Sequence, residues 1–354
     1  MSVAAKPLAP CDYKTGRTLG QGSFAVVKEA IKLSTGEKFA LKVINKKHMK
    51  GREHLVRNEV GILQKVSKGH NHIVTLYEYF ETPNSLYLVM DLCTGGELFE
   101  WIMEKGTFYE EDAAEIIRTV VDCVAYLHAQ NVVHRDIKPE NLLFRNKNSL
   151  SELMIADFGL SKTLDPENTG LLLQSTVGTP GYMAPEILRR QGHGKPVDMW
   201  AIGVMTYFLL CGYFPFAVLG SEGADFSNGV DRVLRADFAF EPKEYWMDIS
   251  PDAKDFISRL IRLNPDERMT AADALQHSWM GFAPIQGPDG ASVGGRIPTI
   301  DLLPSIGRQF SKKASTLRKG ASAKTNPDVV VDNGVPVSVD GGMDGVEYVN
   351  KDGP

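Results

Sequence analysis

Three polar residues that could move a phosphoryl group lie within one short stretch. Asp136, Lys138 and Asn141 fall in the run His134–Asn141, beside a few apolar residues. A carboxylate can accept or orient the proton of an attacking hydroxyl, and an ammonium can offset charge on the group in transfer. A carboxamide oxygen is a hard ligand that suits Mg²⁺. This grouping of an acid, a cation and an amide predicts phosphoryl-transfer chemistry.

Further polar groups lie on either side of this stretch. Asp157, in Asp157-Phe158-Gly159, is a second candidate metal ligand. Upstream, Lys42 alternates with apolar residues on a predicted strand, and Glu59 lies on the predicted helix that follows. A buried pair of the two would hold the ammonium towards phosphate oxygens. Singly, Asp136 could cap a helix, the Asp157 motif could form a turn, and Lys42 could face solvent. Those alternatives leave the order and spacing of the motifs unexplained.

Glycines between two predicted strands could cradle a polyphosphate. Backbone N–H groups can approach phosphate closely where glycine has no side chain, and an aromatic tip can fold over it. An ordinary glycine hairpin is the alternative for this loop taken alone, and alanine replaces the third glycine of the full G-x-G-x-x-G pattern. The loop consists of Leu19, Gly20, Gln21, Gly22, Ser23, Phe24, Ala25, Val26 and Val27.

The elements that must position these groups change character along the chain. Strand-like composition dominates the first part, and helical spacing of apolar residues dominates the part after Gly95-Gly96. The first three predicted strands, residues 13–20, 25–31 and 37–44, form an antiparallel meander. A helix is predicted at 52–67, followed by two further strands at 73–80 and 86–92. Helices are predicted at 97–105 and 110–130 and over most of the remainder to residue 280. The pattern predicts an α+β fold with a small sheet lobe and a larger helical lobe.

The overall composition limits the classes of protein that remain. With 354 residues, 43% of them hydrophobic, the chain can bury the core of one large or two ordinary domains. A net charge of −5 argues against general nucleic-acid binding. We expect no signal peptide at the N-terminus, and the apolar stretch 199–216 contains two glycines and is too short to span a bilayer comfortably. No membrane association is therefore predicted.

The cysteines bear on the location of the protein. None of the four belongs to a CxxC pair, so neither a disulfide framework nor a zinc site is indicated. They are Cys11, Cys93, Cys123 and Cys211. Isolated thiols fit a reducing compartment, and we expect the protein in the cytoplasm, with the nucleus as a second location.

Taken together, the motifs over residues 13–280 resemble those of eukaryotic protein kinases. The resemblance implies a bilobal kinase fold with an N-lobe over about 13–92 and a C-lobe over about 93–280. It implies that ATP lies under the glycine loop, with Lys42 paired to Glu59 and to the phosphates. Met90 would be the gatekeeper and Cys93 part of the hinge that meets adenine.

The same resemblance gives the catalytic stretch its roles. Asp136 would be the catalytic base with Lys138 beside it, and Asn141 and Asp157 would hold Mg²⁺. It further implies a Glu186–Arg268 pair, an Asp198 brace for the catalytic loop, and a stack of Leu63, Leu76, His134 and Phe158 between the lobes. A catalytically silent scaffold of this fold is the alternative from another class, and the complete catalytic set argues against it.

Several runs resemble calcium/calmodulin-dependent protein kinases of type I. These runs are 95–100, 139–143, 157–162, 211–216 and 253–257. Lys138 and the run Gly178–Tyr182 favour serine/threonine substrates. Glu97 and Glu140 resemble the acidic pair that binds an arginine upstream of the target residue, with two solvated surface acids as the alternative.

Phosphorylation is predicted at three positions. Thr176 resembles the activation-loop threonine that an upstream kinase modifies, where Arg135 can pair with the added charge. An ordinary loop threonine is the alternative. Ser311 and Ser315 each follow a basic residue by three positions, which predicts autophosphorylation or crosstalk there.

The last part of the chain predicts regulation. Residues 281–298 are expected to form a linker. Residues 299–320 combine apolar and basic residues at helical spacing, which suits calmodulin and an inhibitory contact with the kinase. Pro304 and Gly307 interrupt this helix, and the tryptophan anchor typical of the family is absent. A disordered basic tail, in a kinase that is not a calmodulin target, is the alternative. Two further segments are expected to lack regular structure, residues 1–12 and 321–354.

Overall fold

The computed structural model describes residues 12–22, 25–49, 53–164, 173, 178–216, 226–282, 285–286, 292–293 and 300–307. Within these ranges the chain forms a sheet lobe followed by a mainly helical lobe, the predicted α+β architecture. No helix in the described ranges is long and apolar enough to cross a membrane.

The sheet lobe is built from five antiparallel strands. They are β1 Tyr13–Gln21, β2 Ala25–Lys32, β3 Lys38–Asn45, β4 Leu76–Glu81 and β5 Ser85–Met90. Their spatial order is β1-β2-β3-β5-β4, so β3 pairs with β5 and β4 lies at the edge. The predicted antiparallel meander of the first three strands is confirmed, and the chain then crosses over between β3 and β4 through a helix.

That helix, α1, covers Glu53–Val66. Val60, Leu63 and Val66 lie on one face at helical spacing and are buried in the main core. Leu55, which the spacing also places in the stripe, is 40% exposed. Packing of this face orients α1 so that Glu59 on the same face points towards the sheet.

The helical lobe begins with α2 Leu98–Lys105 and α3 Glu110–Ala129. Short strands follow in pairs, β6 Val132–Val133 with β9 Lys162–Thr163 and β7 Leu142–Phe144 with β8 Leu153–Ile155. The remaining helices are α4 Pro185–Leu188, α5 Pro196–Cys211, α6 Phe226–Arg235, α7 Lys243–Trp246, α8 Pro251–Leu260 and α9 Ala271–Leu275, and a two-stranded ribbon joins β10 Ile285–Gln286 to β11 Ser292–Val293.

Helix α5 is the centre of the helical lobe. Its side chains are buried on all sides, and it ends at Gly212 in the left-handed conformation (φ 85°). A Cβ on Gly203 would lie 2.8 Å from the Cβ of Leu260, so glycine lets α5 and α8 approach closely. Pro196 and Pro251 begin these two helices, where a missing N–H costs nothing.

Candidate active site

The catalytic stretch, His134–Asn141, lies between β6 and β7, and a buried carboxylate from α5 holds its first residues in place. Asp198 on α5 accepts hydrogen bonds from the backbone N–H of His134 (2.9 Å) and of Arg135 (2.7 Å). Its Oδ2 is also 2.9 Å from Nε2 of His128 on α3. These bonds stabilise Arg135 at a φ of 68°, in the left-handed region that non-glycine residues rarely adopt. Asp198 thus braces the loop as the resemblance implied.

The electrostatics of this brace follow from burial and hydrogen bonding. Burial alone would raise the pKa of Asp198, but the bond from His128 and the nearby histidines and N–H groups outweigh it and hold that pKa below its ordinary value. Burial lowers the pKa of His134 despite its acidic neighbours, so its imidazole is neutral at neutral pH. The ring of His134 packs edge-on against Phe158, with centroids 4.9 Å apart.

Asp136, Lys138 and Asn141 converge on one point. The Lys138 ammonium donates to Asp136 Oδ2 (2.7 Å), and Asn141 Nδ2 donates to the same oxygen (3.0 Å) and to the Asp136 carbonyl (2.8 Å). Thr179 completes the group, because its hydroxyl donates to Asp136 Oδ1 (2.7 Å) and accepts from Lys138 (2.6 Å). Asp136 is 7% exposed, and its carboxylate is fixed through both oxygens.

A second group of charges lies on the sheet side. Lys42 on β3 donates to Glu59 Oε1 at 2.6 Å, which is the ion pair that the sequence predicts, and to Asp157 Oδ1 at 3.4 Å. Burial would lower the pKa of Lys42, but the carboxylates of Glu59 and Asp157 raise it above its ordinary value. Lys42 in turn lowers the pKa of Asp157, helped by the N–H of Gly159. Lys42 and Asp157 are therefore both ionised at neutral pH.

The residues on either side of the glycine-loop tip pair as in a hairpin. The N–H of Gly22 donates to the carbonyl of Ala25 (2.8 Å), and Gly20 lies opposite Val27 in the ladder of β1 and β2. Ala25 is the first residue of β2, paired with Ile44, so alanine at the third position leaves the hairpin intact. Val27 pairs with Lys42. Leu19, Gln21 and Val26 are also on these strands, whereas Ser23 and Phe24 lie outside the described residues.

The hinge between the lobes is fixed by backbone pairing. Met90 ends β5 opposite Ala40, and Cys93 follows it, both half-buried. Gly95 donates to the carbonyl of Phe144 (2.9 Å), and a Cβ on Gly95 would lie 2.5 Å from the Cβ of Phe144. Any other residue would clash there, which explains why glycine occupies position 95 of the Gly95-Gly96 pair. Burial raises the pKa of the Cys93 thiol to about 12, so it is protonated.

The donor set fits a hard cation shared with a phosphate ligand. Both hydrogen bonds of Asn141 to Asp136 use Nδ2, so Oδ1 is the atom that it can offer to a metal. Asp157 contributes an ionised carboxylate. The described residues contain no cluster of three or more histidines, cysteines or acids able to enclose a metal by themselves. Mg²⁺ suits such a partial site, because it usually keeps waters and phosphate oxygens as its other ligands.

The two candidate substrate acids lie on neighbouring segments of the helical lobe. Glu97 precedes α2, and its backbone forms a bridge with Leu143. Glu140 lies in the 3-10 turn Pro139–Asn141, three residues before Leu143. Glu97 is exposed and Glu140 is half-buried. Thr176 lies outside the described residues.

Two residues of the site were not predicted as such from the sequence. The run Gly178–Tyr182, which contains Thr179, predicts only serine/threonine specificity. In the structure the Thr179 hydroxyl contacts both Asp136 and Lys138. His128 lies on the buried face of α3, where its spacing predicts only a core position. Its partner Asp198 is far away in sequence, so no local pattern could have found the contact.

The order of these groups along the chain, and their meeting between a sheet lobe and a helical lobe, are the defining features of protein kinases. The model of the protein kinase domain matches residues 13–280, and the chain belongs to this family. It is a protein serine/threonine kinase. Members of the family generally use ATP and Mg²⁺.

Similar proteins narrow the group. The chain is 52% identical over 310 residues to calcium/calmodulin-dependent protein kinase cmkB of Emericella nidulans, covering 88% of this chain and 74% of that protein. It is 45% identical over 312 residues to calcium/calmodulin-dependent protein kinase type I of Schizosaccharomyces pombe, covering 88% of each. Myosin light chain kinase A of Dictyostelium discoideum is 45% identical over 269 residues, 76% of this chain and 88% of that protein.

Proposed function

We propose that this kinase transfers the γ-phosphate of ATP to serine or threonine residues that follow an upstream arginine, under the control of calcium and calmodulin. The observation that carries the catalytic part is the convergence of Lys138, Asn141 and Thr179 on the Asp136 carboxylate, opposite the Lys42–Glu59 pair. Complete and mutually bonded groups of this kind argue against a silent scaffold. A cytoplasmic location is part of the proposal.

In the proposed mechanism Asp136 takes the proton of the substrate hydroxyl. Its carboxylate is held through both oxygens, so it keeps a fixed orientation in which it can accept the proton of the incoming hydroxyl without rearrangement of the side chain. Lys138, 2.7 Å from the same carboxylate, offsets negative charge on the group in transfer. Thr179 holds both charged groups in position and connects them to the segment Gly178–Tyr182.

On the other side of the cleft Lys42 holds the nucleotide phosphates. Glu59 keeps its ammonium in place and charged, because a buried lysine without a partner would lose its proton. Asn141 Oδ1 and Asp157 would hold Mg²⁺, which supplies neutralisation of the phosphate charge when bound. The residues 19–27, with Met90 and Cys93, would cover and line the nucleotide.

Substrate choice is assigned to the acidic pair. The bridge between Glu97 and Leu143, three residues after Glu140, supports this assignment, because two nearby carboxylates could bind a guanidinium by charge-assisted hydrogen bonds. Glu140 also lies in the turn that carries Asn141. An arginine bound there would precede the residue that meets Asp136.

Regulation is proposed at two places. Two of the similar proteins named above are called calcium/calmodulin-dependent protein kinases, and the basic segment that begins at residue 299 would give calmodulin a target in this chain. Phosphorylation of Thr176 by an upstream kinase would add charge that Arg135 can pair. Both positions are proposals that rest on sequence and similarity.

Transfer of labelled phosphate to a serine peptide tests the catalytic proposal. The peptide carries arginine three positions before the serine, and Asp136→Asn should lower kcat by about 10²–10⁴-fold, the usual contribution of a positioned general base. Replacing the arginine by alanine should raise the peptide KM about tenfold or more, and Glu140→Gln should remove that difference. Glu104→Gln, an exposed acid on α2, is the control. Full activity of the Asp136 variant would contradict the mechanism.

A further inference from the structure

Ser161 is buried where three segments of the site meet. Its carbonyl accepts a hydrogen bond from Asn58 Nδ2 on α1 (2.7 Å), and its hydroxyl donates to the carbonyl of His134 (3.2 Å). Its N–H donates to the carbonyl of Phe158 (3.0 Å). The residue is only 1% exposed, so water has little access to replace these bonds.

Each end of this chain of bonds adjoins a group of the site. Asn58 precedes Glu59, whose carboxylate holds Lys42 at 2.6 Å. His134 begins the stretch that contains Asp136. Ser161 itself follows Asp157 within the same short loop, before β9. The bonds Asn58–Ser161–His134 therefore connect the lysine–glutamate pair, the metal-ligand segment and the catalytic stretch.

We propose that Asn58 and Ser161 are positioning residues, and that their hydrogen bonds fix α1 and the Asp157 segment relative to Asp136. The proposal rests on the function assigned to the site above. A shift of about 1 Å between reacting groups can cost on the order of 10²-fold in rate, so a two-bond connection of this kind matters for turnover. Neither residue touches the cleft chemistry itself.

A second hydrogen bond, from Arg135, limits how much activity the loss of the Ser161 hydroxyl should cost. Arg135 Nε donates to the carbonyl of Leu160 (2.6 Å), so the catalytic stretch and the Asp157 segment stay connected when the Ser161 hydroxyl is lost. Nothing equivalent joins the Glu59 turn of α1 to that segment among the described residues except the contacts of Asn58 and Lys42. Loss of the Asn58 hydrogen bond should therefore lower activity more than loss of the Ser161 hydroxyl.

Two substitutions separate the bonds. Asn58→Asp keeps the size of the side chain but sets a carboxylate against the Ser161 carbonyl, and Ser161→Ala deletes only the hydroxyl. We expect kcat/KM for ATP to fall about tenfold or more in the first and about threefold to fivefold in the second, because the reacting groups lose their relative position. The peptide KM should stay within about twofold, because Glu97 and Glu140 lie outside this chain of bonds. Deuterium exchange in α1 of the nucleotide-free protein should become faster.

Controls exclude general loss of folding. Gln64→Glu makes the same amide-to-acid change on an exposed part of α1, and Ser258→Ala deletes a hydroxyl that bonds within α8. Both should leave exchange in α1 and kcat/KM unchanged. Because the two bonds act in series, the double variant should lose less than the product of the single losses.

The outcomes distinguish the inference from the function on which it rests. If Asp136→Asn is inactive while Asn58→Asp and Ser161→Ala match wild type in kcat/KM and exchange, the positioning role is wrong and the kinase mechanism stands. Full multiplication of the two losses would also overturn the inference, because the bonds would then act independently. Activity of the Asp136 variant would refute the mechanism itself.

Discussion

Among single residues, Asp198 determines most about the shape of the catalytic stretch. It is fully buried and accepts two backbone N–H groups, and its pKa lies below the ordinary value of 3.8. A carboxyl group with a lowered pKa in the folded state stabilises the fold above its unfolded pKa. That contribution is lost as the pH falls through the lower, folded value.

We predict that Asp198→Asn lowers the free energy of unfolding at pH 7 by about 3 kcal/mol, because an amide cannot replace both charge-assisted bonds and leaves buried donors poorly paired. Below about pH 4 the difference from wild type should shrink, since wild type then loses the same contribution. Urea unfolding between pH 7 and pH 3 measures both.

Glu104→Gln is the control for this comparison, because its carboxylate is exposed and pairs with Lys147 at the surface, where such pairs contribute little. A constant difference between wild type and Asp198→Asn across the whole pH range would show that the carboxylate charge of Asp198 is not involved.

The types of the motif residues and their order along the chain predict much of the site, but they do not predict contacts between residues that are far apart in sequence. The Lys42–Glu59 pair and the Asp198 brace are predicted because both partners of each contact belong to recognised motifs. The contacts of His128 and Thr179 depend on how α3, α5 and the chain after Gly178 fold together, which no local pattern contains. The occupants of the cleft remain predictions.

At the scale of elements, the segment 300–307 differs most from its sequence-based description. The predicted helix over 299–320, interrupted at Pro304, is a short helix over 303–307 in the described part of this region, with residues 300–302 outside it and Pro304 in its first turn, where proline is tolerated. Leu302 and Ile306 are buried, and Leu302 N–H donates to the carbonyl of Phe108 (2.6 Å). Asp301 Oδ1 accepts the N–H of Phe108 (2.9 Å) in return.

This docking also uses the end of α5. A Cβ on Gly212 would lie 2.6 Å from the carbonyl of Ser305, so the segment packs directly on backbone. The first part of the predicted regulatory region is therefore attached to the helical lobe beside α2. The rest of that region, from residue 308, lies outside the described residues.

We predict that Ile306→Ala lowers the free energy of unfolding of the kinase by about 2–4 kcal/mol, the usual cost of emptying a buried isoleucine site. A chain ending at residue 299 should lose at least as much, because it also loses Leu302 and the Asp301 bond. Thermal and urea unfolding of these variants measure the effect.

The matched control is Ile300→Ala, which removes the same side chain from a position that is 37% exposed. It should change stability by well under 1 kcal/mol. Equal stability of Ile306→Ala and wild type would mean that the segment does not contribute to the fold in solution.

Prediction of the elements was accurate where apolar spacing was strong and failed where long-range pairing decides. Helices α1 and α3 begin and end within one or two residues of their predicted bounds. The first residues of the predicted strand 73–80 instead lie in a loop, and Ile73 forms only a bridge with Ile155 of the other lobe. That contact competes with the sheet and is not visible locally.

At the scale of the whole molecule, charge is unevenly distributed. The net charge is −5, whereas no acid occurs between Asp301 and Asp328. The candidate substrate acids are Glu97, just before α2, and Glu140, in the turn Pro139–Asn141. Their charge is opposite to that of the basic residues that follow residue 307, so those residues can compete with a substrate arginine for them. The same basic residues suit calmodulin, so inhibition by them and their capture by calmodulin are compatible proposals.

We expect the full chain to phosphorylate the arginine-containing peptide at least about tenfold faster with calcium and calmodulin than without, because bound calmodulin would keep the basic residues after residue 307 from competing with the substrate arginine. A chain ending at residue 307 keeps the docked Leu302 and Ile306 and should be active without calmodulin. A chain ending near residue 280 is a poorer comparison, because it also lacks the packing of residues 300–307 on the lobe. Peptide assays of the three chains, with calmodulin omitted or calcium chelated as controls, decide between regulation and a tail with another partner. A full chain that is equally active in every condition, together with no calmodulin binding at micromolar concentration, would contradict calmodulin control and leave the catalytic assignment untouched.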